Sequence, residues 1–224
     1  MACHHTDRLA TVVDNLANVS TVGFKKSYAV QPPFYDILEA KTTPIRRAPD
    51  FSQGPIRATG QPFDFAIDGS GFFVVEKDGR DYYTRNGQFK QGPDGTLMTA
   101  GGLPVQGTDG RITFPREMNP ADLTVDRQGN LYAGEQTLGR LRLVDFANPE
   151  TLKNVGPTTF ATPISATRSI DFAGAVHNRA LEGSNASVFE EMAELISTVR
   201  SHESCMKMLQ AHDETERKMV KTYT

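Results

Sequence analysis

The chain has 224 residues, a formal net charge of −3 and 23% charged side chains. That length buries a real core in one large or two small domains, and the near-balanced charge lacks the concentrated basic face that nucleic-acid binding needs. No stretch approaches the roughly 18 apolar residues of a membrane span, which argues against membrane insertion, and the N-terminus lacks the charged-then-apolar layout of a secretory signal.

Residues 1–26 read as helix. Leu9, Val12 and Leu16 share one stripe with Ala2 and Val19, while His4, Asp7, Arg8, Thr11 and Asp14 lie elsewhere. The helix is expected to end between Val19 and Val22, where β-branched residues accumulate, with Gly23 as the stop. The short polar side chains of Asn15, Asn18, Ser20 and Thr21 suit free backbone groups at a helix end, so this group is expected to organise the exit. Six prolines between residues 27 and 62 (Pro32, Pro33, Pro44, Pro49, Pro55 and Pro62) exclude a continuous helix and predict an extended linker.

Residues 63–156 follow the grammar of hairpins. Phe72–Glu76 is a strand, Lys77–Arg80 a turn around Asp78-Gly79, and Asp81–Arg85 the returning strand. Asn86-Gly87, Asp94-Gly95, Asp109-Gly110 and Gln128-Gly129-Asn130 punctuate further short strands. Leu123–Asp126 and Asn130–Ala133 form another hairpin, and Leu138–Phe146 alternates before ending in an apolar run. Nearly all of the 19 glycines fall in or next to this region, which predicts a small β-sandwich or open barrel.

Residues 157–183 are expected to be a second extended linker, leading back to a helix over residues 186–221. Ser184 and Asn185 are good caps, and Ser187 with Glu190 fits a capping box. No Gly or Pro follows. Val188, Met192, Leu195, Val199, His202, Met206 and Leu209 advance by alternating steps of four and three, the spacing of a coiled-coil seam. Glu190, Glu191 and Glu194 near the start and Arg217, Lys218 and Lys221 near the end complement the helix dipole. The resulting rod is about 50 Å long, more than a compact domain of this size requires. The expected fold class is therefore α+β: a discontinuous helical domain (1–26 and 184–224) pairing as a coiled coil, around an inserted all-β domain.

The residues that invite a chemical reading do not sustain it. Asp68-Gly69-Ser70-Gly71 has the spacing of neither a nucleophile elbow nor a phosphate loop, and a strand follows it, so it reads as a tight turn. No nucleophile–base pair stands in motif form, and no catalytic or cofactor-binding residue is expected. His4, His5, His202, Cys3 and Cys205 are ligand types that zinc accepts, but they lack a spaced motif, so no metal is expected and both cysteines read as free thiols.

Three stretches together resemble the flagellar rod and hook protein family. Asp14–Lys25 is similar to the Asn-rich signature near the start of its members. Phe65–Val75 followed by Tyr83–Phe89 resembles its central β motif, and Leu181–Asn185 with the helix after it resembles its C-terminal signature. The resemblance implies terminal helices that form the inner tube of an axial assembly, with Leu9, Val12, Asn15, Leu16, Asn18, Gly23, Phe24, Val188, Met192, Leu195, Val199, Met206 and Leu209 at the contacts. It also implies homopolymerisation, other rod and hook subunits as partners, and a place in the periplasm-spanning rod. The route there would be the flagellar export apparatus, with no cleaved signal peptide. The modest length favours rod proteins over the hook protein, and Met206–Gln210 with the short β domain favours the proximal over the distal rod type. A distal-rod or hook-type protein is the alternative. From a different class, an oligomeric binding module or adhesin with a β head would form a closed oligomer, whereas head-to-tail contacts give open polymers.

Overall fold

The computed structural model describes residues 2–30, 46–115, 118–162, 169–170 and 172–222. Two units emerge: residues 1–17, 27–48 and 187–224 form a helical unit, and residues 18–26 and 49–186 form a β unit.

In the helical unit, α1 (Ala2–Ala17) packs against β1 (Ser27–Val30) and against the long helix α2 (Val188–Thr222). β1 pairs with β2 (Arg46–Pro49). α1 stops two to five residues before the expected point. The chain turns as soon as α1 ends: the Thr21 amide donates to the Asn18 carbonyl at 3.0 Å, and the Phe24 amide to the Thr21 carbonyl at 3.3 Å. The turn-forming tendency of Asn18 outweighs the apolar stripe that would have carried the helix to Val19.

The β unit opens with β3 (Ile56–Ala58), β4 (Phe65–Asp68), β5 (Phe72–Lys77), β6 (Arg80–Thr84), β7 (Phe89–Gln91) and β8 (Leu97–Thr99). It continues with β9 (Gln106–Gly107), β10 (Gly110–Arg111), β11 (Leu123–Val125), β12 (Asn130–Ala133), β13 (Gln136–Arg140) and β14 (Leu143–Phe146). β15 (Lys153–Asn154), β16 (Thr159–Ala161), β17 (Ser169–Ile170), β18 (Ala175–Asn178) and β19 (Ala180–Glu182) complete it. The largest sheet runs β15-β16-β6-β5-β14-β17, all antiparallel. β5 and β6 form the expected hairpin. Asp78 (φ 52°) and Gly79 (φ 71°) both adopt positive φ, as a primed two-residue turn requires.

β5 explains why Phe72–Val75 is apolar without alternation. Successive side chains point to opposite faces of a strand. Phe73 and Val75 enter a core with Phe65, Ile67, Phe89, Leu97, Leu123 and Leu131, while Phe72 and Val74 enter a second one with Tyr83, Phe146, Leu152 and Phe160. The segment Leu138–Phe146, read as alternating and then apolar, splits at Leu141. β13 pairs with β12, whereas β14 pairs with β5. Leu141 itself is buried, and its amide donates to the Gly129 carbonyl at 2.8 Å.

The segments read as linkers hold strands. β16, β17, β18 and β19 lie within 157–183, where β18 zips onto β4 (Ala175 opposite Asp68) and β19 onto β3 (Glu182 opposite Ile56). Pro49 ends β2, Pro55 directly precedes β3 and Pro62 lies in a turn, so these prolines border paired strands; Pro32, Pro33, Pro44 and Pro163 lie outside the described residues. The described chain is α+β, with more residues in strands than in helices. Among its residues no helix is long and apolar enough to cross a membrane.

Candidate functional site

In the β unit, residues far apart in sequence meet at one buried point. The Gly23 amide donates to the Glu182 carbonyl at 2.8 Å. Gly23 has φ 67°, and a Cβ there would lie 2.4 Å from the Asn86 nitrogen, so only glycine lets the incoming segment lie against the Arg85–Asn86 backbone. Asn185 ties the same segment down from the other end. Its Oδ1 accepts from the Lys26 amide at 2.7 Å, and its Nδ2 donates to the carbonyls of Asp50 (2.8 Å) and Ser52 (3.1 Å).

At the centre stands an ion network with almost no solvent contact. The Lys25 ammonium donates to Glu182 Oε1 at 2.7 Å and to the Ser52 carbonyl at 2.6 Å, and the side chains of Lys25 and Glu182 are both 0% exposed. Arg85 Nη1 donates to Glu182 Oε2 at 3.2 Å, and its Nη2 donates to the Gly69 carbonyl at 2.7 Å. The guanidinium carbon sits 5.3 Å from the centre of the Phe72 ring, within cation–π range. The Gly54 amide completes the shell of Glu182, donating to Oε1 at 2.9 Å. Burial pulls the Lys25 ammonium below its ordinary pKa of 10.5, and the charge and hydrogen bond of Glu182 work against that. Burial lowers Arg85 in the same way, again opposed by Glu182.

The helical unit presents a different surface. Asn15 Nδ2 donates to the Ser27 carbonyl at 2.9 Å and to Glu191 Oε2 at 3.1 Å, while its Oδ1 accepts from the Ser27 amide at 2.9 Å. Two turns earlier on α1, Arg8 Nε donates to Glu194 Oε1 at 2.7 Å. Glu191 and Thr198 are buried, and Leu195, His202 and Cys205 on the same side of α2 are half-buried. Most of the expected seam faces elsewhere. Val188, Met192, Val199 and Met206 are exposed, as are Ile196, Met208 and Phe189, the last at 86%. Val188, Met192, Ile196 and Val199 follow one another at i, i+4, i+8 and i+11, a continuous apolar stripe along α2. Polar groups of Asn15 and Arg8, not this stripe, join α2 to α1 within the chain.

The thirteen expected contact residues therefore separate into groups. Val12 and Asn15 are buried, and Leu9 and Leu16 half-buried, in the helical unit; Gly23 and Phe24 are buried, and Asn18 half-buried, in the β unit. Of the polar group expected to organise the exit from α1, Asn18 accepts the Thr21 hydroxyl at 3.1 Å. Leu195 is half-buried, the other α2 residues are exposed, and the side chain of Leu209 lies outside the described residues. Cys205 is a free thiol; the side chains of Cys3, His4 and His5 also lie outside the described residues. Sequence reasoning gave no role to Lys25, Arg85 or Glu182. Each is a charged residue inside one of the three motif stretches, and that position was the available signal.

Residues 66–133 match the family described as flagellar hook protein FlgE/F/G D1 domain, and residues 177–222 match the flagellar basal body rod FlgEFG protein C-terminal family. The flagellar basal-body rod protein FlgF of Caulobacter vibrioides is 31% identical over 226 residues, covering 95% of this chain and 90% of that protein. FlgF of Salmonella typhimurium is 32% identical over 226 residues, covering 92% and 88%. The rod protein FlgG of Buchnera aphidicola (subspecies Acyrthosiphon pisum) is 31% identical over 241 residues, covering 93% and 91%.

Proposed function

The chain belongs to the flagellar basal-body rod protein family, and from that premise we propose how it assembles and where in the rod it sits. It is a structural subunit of the basal-body rod. Its terminal helices pair into a coiled-coil wall with those of neighbouring copies, and the apolar stripe of α2 is the surface that polymerises.

One observation carries this reading. α2 is a helix of 35 residues whose apolar residues Val188, Phe189, Met192, Ile196, Val199 and Met206 are exposed in the single chain. An apolar stripe of that length on an isolated chain is costly in water and calls for a long partner. The spacing of Val188, Met192, Val199 and Met206 suits a helical one.

The proximal position rests on a length argument. The alignments to FlgF relatives run over 226 positions and that to the FlgG relative over 241, while covering similar shares of this chain. The FlgG-type relative therefore demands more inserted positions, in keeping with the short β domain here. Family membership supports the rest: neighbouring rod and hook subunits as partners, passage through the flagellar export apparatus without a cleaved signal peptide, and residence in the periplasm-spanning rod.

Light scattering of the purified chain against concentration, followed by electron microscopy, tests the polymerisation. Open fibres that disappear on deletion of residues 187–224, with the β unit still folded, are expected. A discrete dimer or trimer at every concentration overturns the reading. Mixing with candidate rod subunits, one at a time, then tests the position by which of them nucleates growth.

A further inference from the structure

We infer that Glu182 is a single latch that closes three distant stretches of the β unit together, so that the incoming segment 18–26 docks only when the returning strand β19 is paired in register. This goes beyond the assembly reading and does not depend on it.

Four donors converge on this one residue. Its carbonyl takes the Gly23 amide, and its carboxylate takes the Lys25 ammonium, the Gly54 amide and the Arg85 guanidinium. These donors come from stretches around residues 23–25, 54 and 85, each far from residue 182 in sequence. Two of them are cations, with side chains 0% and 2% exposed. Among the described residues Glu182 is the carboxylate in ion-pair contact with both. Lys25 and Arg85 also act on each other, since the charge of Arg85 pulls Lys25 further down. Without Glu182 the two buried cations would lose the carboxylate that contacts both and keep only the longer-range attraction of Asp50 on Lys25 and Asp145 on Arg85, a far worse state than a solvated pair.

The position of Glu182 makes the closure conditional. It lies on β19, opposite Ile56 of β3, and the side chains of Leu181 and Glu182 point to opposite faces. A slip of one residue would turn the carboxylate away from the cations and bring Leu181 to them. Segment 18–26 can then bury Lys25 only against a correctly paired β19. The backbone adds a second tie at the same place. The Gly183 amide donates to the Pro55 carbonyl at 2.8 Å, and a Cβ on Gly54 would lie 2.2 Å from the Gly183 oxygen. The two ends of the β unit, residues 18–26 and 182–186, are therefore fixed together or freed together.

Hydrogen exchange read by mass spectrometry on the full chain tests the latch, because exchange reports local opening peptide by peptide. With Glu182→Gln, peptides covering 18–26, 50–56 and 83–87, together with 178–184, should all exchange faster by about a hundredfold, while the core peptide 72–76 stays within about threefold of wild type. Acceleration confined to 178–184, or an equal acceleration of 72–76, overturns the inference. If Glu182→Gln does not fold, Lys25→Met decides, since it leaves the Glu182–Arg85 pair in place. All three stretches should again accelerate by one common, smaller factor. A change confined to 18–26 overturns the latch.

Discussion

Asn15 holds Ser27 with both ends of its amide, donating to the Ser27 carbonyl and accepting from the Ser27 amide, each at 2.9 Å. The pairing imitates one rung of a β-ladder, with a side chain of α1 in place of a neighbouring strand. It fixes the start of β1 beside the last turn of α1 without requiring a regular turn between them.

Asn15→Ala leaves the Ser27 amide and carbonyl, and Glu191, without this partner. A loss of about 1–3 kcal/mol is expected, because three hydrogen bonds go, each contributing about 0.5–1.5 kcal/mol net. Asn15→Asp should be worse, since a carboxylate cannot donate to Ser27 and would sit against Glu191 at the former 3.1 Å contact. Chemical denaturation followed by far-ultraviolet circular dichroism would rank the two variants. Equal midpoints for all three proteins would remove the clamp from the account.

Much of this was readable in the residues. The hairpin at Asp78-Gly79 follows from turn chemistry, and α2 follows from a run without Gly or Pro that begins with good caps. What single-chain periodicity could not supply was the partner of each face. The seam spacing in α2 is present, yet Glu191 and Glu194 make the contacts within the chain, because Asn15 and Arg8 on α1 happen to meet them. Strands β18 and β19 were hidden for a similar reason. Their partners, β4 and β3, lie more than a hundred residues away, and short extended segments look like linkers until that pairing is known. The Lys25–Glu182–Arg85 network is the extreme case, since no local pattern marks three isolated charges as one cluster.

Two glycines with similar φ make a controlled pair. Gly23→Ala at φ 67° would drive a Cβ to 2.4 Å from the Asn86 nitrogen, which is backbone and cannot swing aside, whereas Gly60→Ala at φ 75° meets nothing within 4 Å. The second variant should lose only the left-handed backbone cost, about 1–2 kcal/mol. The first should lose more than about 3 kcal/mol and free the segment 18–26. Urea midpoints on the two purified variants test this, and similar losses at both positions would mean that the close approach at Gly23 carries no weight.

Asp94 gives a pH signature. The hydroxyl of Thr96 donates to its Oδ2 at 2.8 Å and the Thr96 amide to its Oδ1 at 3.1 Å, and these hydrogen bonds hold the carboxyl below its ordinary pKa of 3.8. A carboxylate with a depressed folded-state pKa stabilises the fold fully above the unfolded value and loses that contribution as pH falls through the folded value. Asp94→Asn, which resembles the protonated side chain, should therefore be less stable than wild type at pH 7 and pH 5. The gap should close progressively below about pH 4. Urea titrations at pH 7, 5, 3 and 2 would follow it; a deficit unchanged down to pH 2 would show that the charge of Asp94 is not the cause.

The stripe on α2 separates folding from assembly. Phe189, Met192 and Val199 are exposed in the single chain, so their replacement together by Ser removes little that the monomer uses. Each surface change should alter monomer stability by no more than about 0.5 kcal/mol. The polymer is another matter. If copies meet through this face, three buried apolar side chains per contact are lost, each contributing about 1.5–3 kcal/mol when fully covered. The triple variant should melt with the wild type yet need a far higher concentration to scatter light, and wild-type fibres should not grow from its seeds. Arg8→Ala breaks an exposed ion pair within the chain and should leave growth nearly unchanged, because such pairs contribute about 1 kcal/mol at most. A triple variant that polymerises at the wild-type concentration would move the contact off this face altogether.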